Sequence, residues 1–85
     1  MNRNEIAQKV LAILERSEPL PGNSLEEKMT YRYLDEGHID SFAIMNIIVE
    51  FEDVFDITLS PENTQSDEFR TIGGLVSLIE ERLNS

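Results

Sequence analysis

The residues best suited to chemistry are the run Gly37-His38-Ile39-Asp40-Ser41-Phe42. Gly37 marks a turn, and the apolar residues that follow Ser41 have helical spacing, so a serine hydroxyl stands where turn meets helix. Backbone N–H groups are unsatisfied at a helix start and the helix dipole is positive there. That environment favours a phosphate esterified to the hydroxyl. Asp-Ser is also an ordinary way to begin a helix, with Asp40 as the cap, and the dipeptide taken alone favours that plainer use. His38 is the only histidine, and beside Asp40 and Ser41 it suggests a hydrolytic triad. Triad partners, however, come from separate elements that hold the base in line with the nucleophile, and no Gly-x-Ser-x-Gly elbow is present. His38 is expected to be a loop residue.

Other reactive groups are scarce. The chain has no cysteine, which removes disulfides, thiolate metal sites and an intrinsic thiol nucleophile. Glu50, Glu52, Asp53 and Asp56 follow no calcium-loop pattern; Glu52 and Asp56 are expected to form a solvated pair on one helix face, and no metal site is expected.

Three main helices are needed to position the Ser41 segment. Residues 4–16 carry Ile6, Val10, Ile13 and Leu14 at helical spacing, with Ala7 and Leu11 widening the stripe and Asn2 or Asn4 available as a cap. Ser17-Glu18-Pro19-Leu20-Pro21-Gly22-Asn23-Ser24 ends that helix. Over 24–40, Leu25, Met29, Tyr33 and Leu34 predict a short helical piece or an ordered loop laid on the core. The second helix is expected from Asp40-Ser41 to about Phe55. It has more apolar residues than one stripe can bury. Its core face is expected to centre on Ile47, Ile48, Phe51 and Phe55, with Met45 and Val49 at the edge of a second face. An extended segment through Ile57 and Leu59 follows, then a short helical turn near Ser66–Arg70. Thr71 caps a last helix that buries Ile72, Leu75, Val76, Ile79 and Leu83, and Gly73-Gly74 in its first turn admit close packing. The expected fold is all-α: a small four-helix bundle of three main helices, one short one and a long first loop.

Size and charge narrow the function. A chain of 85 residues fits one domain, with little room to enclose a full catalytic constellation. Seven basic residues face 17 acidic ones, a net charge of −10. No Lys or Arg occurs between Arg32 and Arg70, a window that holds Asp35, Glu36, Asp40, Glu50, Glu52, Asp53, Asp56, Glu62, Asp67 and Glu68. Such a field repels nucleic acid and anionic membranes and attracts basic protein patches. No apolar run approaches the ~20 residues of a membrane span, nor does a signal peptide show. A cytoplasmic monomer is expected.

From Leu34 to Leu83 the chain resembles the acyl carrier protein family. The family signature, Asp-Ser-Leu or a close variant opening the second helix, reads Asp40-Ser41-Phe42 here. Glu52-Asp53-Val54-Phe55-Asp56-Ile57 is similar to the family's acidic-aromatic helix end, and Thr71-Ile72-Gly73-Gly74-Leu75 to the start of its last helix. The first helix and long loop also fit, so the likeness implies a single carrier domain over residues 1–85. It further implies that Ser41 accepts 4′-phosphopantetheine from coenzyme A through a separate phosphopantetheinyl transferase, with Asp40 positioning the serine. The arm's terminal thiol then holds an acyl or aminoacyl thioester. The chain is not itself an enzyme on this reading; the cofactor carries the chemistry and the protein supplies attachment and recognition. Phe42, Met45 and Val49 become partner- or arm-facing positions. Glu52 and Asp53 become partners for basic residues on the loading ligase and on a downstream acyltransferase or synthase.

Two departures bear on cargo. Phe42 replaces leucine, and Ala43 and Asn46 stand where fatty-acid carriers place acids, which argues against recognition by fatty-acid synthesis enzymes. Phe42 and Asp67-Glu68-Phe69-Arg70 look closer to specialised stand-alone carriers, D-alanyl carrier proteins among them. The other reading is a small acidic helical adaptor that receives no cofactor and uses Ser41 only as a cap.

Overall fold

The computed structural model describes residues 2–16, 19–37, 39 and 41–84, with the side chain of Ser41 outside the description. Every regular element among these residues is helical. In order they are α1 (Arg3–Leu14), α2 (Leu25–Met29), α3 (Ser41–Phe55), α4 (Pro61–Thr64), a 3-10 helix (Asp67–Arg70) and α5 (Ile72–Leu83). The expected small helical bundle is therefore present. The sequence reading missed α4, which Pro61 opens and a reciprocal cap secures. The Ser60 hydroxyl accepts from the Asn63 N–H at 3.2 Å while Asn63 Oδ1 accepts from the Ser60 N–H at 2.9 Å.

The core forms around α5, which buries Ile72, Leu75, Val76, Leu78 and Ile79 against Ile6, Val10 and Leu14 of α1. Capping agrees with the sequence at both helices. Asn2 Oδ1 accepts from the Glu5 N–H at 2.8 Å, and Thr71 Oγ1 from the Gly74 N–H at 3.0 Å. Leu25, by contrast, stands at the surface rather than on the core, and α2 buries no residue. The long loop is held instead by polar groups. The Glu15 carboxylate accepts from the Leu20 N–H and from the Lys28 ammonium, both at 2.9 Å, and so ties the end of α1 to the loop and to α2.

The start of α5 is where backbone meets backbone. A Cβ on Gly74 would lie 2.1 Å from the Glu68 carbonyl oxygen, and one on Gly73 would lie 3.0 Å from that of Met29. Hydrogen at both Cα positions thus lets the 3-10 helix and the end of α2 seat directly on the first turn of α5. Phe69 inserts there, buried, with its ring edge-on to that of Tyr33 at 6.3 Å between centroids.

Tyr33 is fully buried and its hydroxyl donates to the Phe69 carbonyl oxygen. Burial pushes the phenol well above its ordinary pKa of 10.0, because a phenolate would be stranded without water. The folded state therefore holds this proton more tightly than the unfolded chain does. The associated stability is complete below the ordinary phenol value and is lost as pH rises above it. Denaturant titrations from pH 8 upward should show stability falling beyond about pH 10. Tyr33→Phe should lose about 1–3 kcal/mol at neutral pH, by stranding a carbonyl, and should lack that alkaline decline. An unchanged alkaline slope in the variant would refute the assignment.

Candidate functional site

Helix α3 has two faces of different character. Phe51 and Phe55 are buried in the core, and Ile44, Ile47 and Ile48 are half-buried against it. The expected core face is thus present, with its centre nearer the two phenylalanines than the isoleucines. On the other side Phe42, Met45 and Val49 are 88%, 65% and 58% exposed. Their spacing of three and then four residues sets them in one stripe, and Asp53, four further on and exposed, continues it. Three large apolar side chains left in water along one stripe of a helix mark a surface meant to be covered.

The α3 terminus is built by the backbone. Asp56 has a left-handed φ of 53° and the Ile57 N–H reaches back to the Glu52 carbonyl oxygen at 3.1 Å, the helix-ending arrangement usually given to glycine. Asp tolerates that conformation better than most residues. Glu52 differs from the sequence expectation. Its Oε2 accepts from the Leu59 N–H at 2.9 Å, and the side chain is half-buried rather than one of a solvated pair with Asp56. The reversal of the chain after Asp56 folds the extended segment back within its reach, which helical spacing alone does not reveal. Glu50 is likewise engaged, in an ion pair with Arg16 that links α3 to the end of α1. Asp53 keeps its carboxylate exposed at the end of the stripe.

Beside α3 lies a cleft of about 530 Å³. Ile44, Met45 and Ile48 form its α3 wall, Leu34 and Ile39 come from the preceding loop, and Phe69 from the 3-10 helix. Met45 thus belongs to both the cleft and the exposed stripe. Leu34, Ile39 and Phe69 were not among the sequence candidates as site residues. The signal available was the surplus of apolar residues on α3, which exceeds what one buried stripe needs. Next to Leu34 in the chain, Asp35 lies 3.3 Å from the Arg32 guanidinium and 4.0 Å from that of Arg70.

Ser41 is the first residue of α3. Asp40 and His38 lie outside the described residues, as does the Ser41 side chain, so these expectations rest on the sequence. Among the described residues no helix is long and apolar enough to cross a membrane, and no group of three His, Asp or Glu draws together as a metal site.

No protein-family model matches the chain. Individual relatives do. The D-alanyl carrier proteins of Bacillus cereus (strain B4264) and Bacillus anthracis (strain CDC 684 / NRRL 3495) are each 32% identical to it over 77 residues, covering 91% of this chain and 95% of theirs. The chain belongs to the acyl and D-alanyl carrier protein family. A carrier role follows from that membership, and it accounts for a bundle with one helix face left open. As a member of this family the chain joins an α5-centred core to an α3 that keeps Phe42, Met45 and Val49 largely exposed on its outer side.

Proposed function

We propose that this carrier bears 4′-phosphopantetheine on Ser41 and presents an acyl or aminoacyl group, D-alanine by the relatives' name, as a thioester on the end of that arm. The observation that carries the reading is the apolar stripe Phe42, Met45 and Val49, which begins one residue after the serine that opens α3. The residues present fit the group. Ile44 and Met45, one turn beyond Ser41, wall an apolar cleft able to receive an arm or a short cargo, and a phosphate ester suits a helix start. Phosphopantetheine would supply the thiol that this cysteine-free chain lacks.

Asp40 positions the serine for a separate phosphopantetheinyl transferase, and the stripe is the surface on which that enzyme and the loading ligase dock. The partners are proteins with a basic patch. Asp53 at the end of the stripe, Asp56 beyond it and the net charge of −10 would draw them in, raising association rate and partner choice more than affinity. Glu52 contributes charge near that edge while its carboxylate braces Leu59. Downstream, an acyltransferase or synthase would take the cargo. The same reading makes residues 1–85 one carrier domain, a monomer working in the cytoplasm.

Incubating the purified chain with coenzyme A and a broad-specificity transferase tests it. One phosphopantetheine should add to the intact mass and map to the peptide containing Ser41. A D-alanine-loading ligase should then charge the product with D-alanine in preference to a fatty acid. No mass gain under conditions that modify a control carrier would favour the cofactor-free adaptor.

A further inference from the structure

Among the described residues, Met45 holds a position that no other sulfur shares. It is 65% exposed, stands between Phe42 and Val49 in the open stripe, and also forms part of the cleft wall. Met29 is half-buried against the core, with its carbonyl packed on Gly73. There is no cysteine to react first. From this geometry we infer that Met45 is a reversible oxidation site through which peroxide switches off partner docking, a form of regulation that rests on the carrier function proposed above.

The chemistry is self-contained. The thioether sulfur donates a lone pair to one oxygen of hydrogen peroxide, an S–O bond forms as the O–O bond breaks, and water leaves. Sulfur is oxidised by two electrons and the peroxide reduced by two; a methionine sulfoxide reductase with a thiol reductant reverses the step. The product is a strongly polar acceptor in the middle of an apolar surface. A partner that buries Phe42 and Val49 must then strip water from the sulfoxide without returning a hydrogen bond. Oxidation of Met29 would instead disturb packing at the α2–α5 contact, a change in stability rather than docking.

The apo chain, which carries no competing arm thiol, is treated with hydrogen peroxide, the excess is removed with catalase, and oxygen is located by peptide mass spectrometry. Initial rates of phosphopantetheine transfer from coenzyme A are then measured. The expected result is oxygen on Met45 well before Met29, a rise in KM of about ten-fold with kcat little changed, and recovery after reductase treatment. In Met45→Leu, whatever its starting rate, the ratio of rates with and without peroxide should stay near one. Equal rates before and after complete oxidation of Met45, or equal oxidation of Met29, would overturn this inference alone. A chain that accepts no phosphopantetheine before peroxide would overturn the carrier reading and this regulation with it.

Discussion

Ser41→Ala is expected to abolish phosphopantetheine attachment completely while leaving the bundle folded. Under the proposed function, loss of the hydroxyl removes the atom that would form the phosphate ester, and no neighbouring group can substitute: α3 holds no other serine or threonine, and the chain has no cysteine. The folding consequence is small. Ser41 is at the very start of α3, alanine is a better helix former, and lost terminal hydrogen bonding costs about 1 kcal/mol at most. Intact mass after incubation with transferase and coenzyme A, read beside circular dichroism of the same sample, separates the two effects. A variant that still gains the group would displace the attachment site to another residue. A variant that unfolds would make the serine structural.

Gly74→Ala should produce the largest loss of stability among alanine substitutions at the four glycines. The new Cβ would meet the Glu68 carbonyl oxygen at 2.1 Å and its carbonyl carbon and Cα at 2.7 Å. These are backbone atoms, so no side-chain rotation relieves the overlap and the 3-10 helix must move away from α5. Alanine's better helix propensity returns about 1 kcal/mol, which does not offset the displacement of Phe69 and its contact with Tyr33. A net cost of about 3 kcal/mol or more is expected, equivalent to a Tm lowered by about 12–24 °C in a domain this size. Gly73→Ala, with 3.0 Å to the Met29 carbonyl oxygen, is the milder control and should lose much less. Thermal melts of both variants check this; equal Tm values for Gly74→Ala and the parent would show that the 3-10 helix is not clamped there.

How far the structure could be read from residues alone varied with the kind of interaction. Helices α1, α3 and α5 were legible because each carries a local periodic pattern and a start signal, Asn2 and Thr71 being plain cases. The exposure of Met45 and Val49 was legible as well, from an apolar surplus that one buried face cannot absorb. Non-local partnerships were not. Glu52 looks like a solvated helix acid until the chain reverses at Asp56 and brings the Leu59 N–H to it. The cleft needs Leu34, Ile39 and Phe69 from segments separated along the chain to meet the α3 wall. Likewise the short capped helix at Pro61 has too few residues for any period to show.

The unequal packing of the helices has a dynamic consequence. Helix α5 packs broadly on α1 and on the 3-10 helix and also meets α2, whereas α3 has α1 as its main helical neighbour. Amide hydrogens in the α5–α1 pair should therefore exchange with solvent only through global opening, while those along the outer turns of α3 exchange through smaller local excursions. A molecule divided in this way can let its outer helix tilt to suit one enzyme after another, and return each time to the same frame.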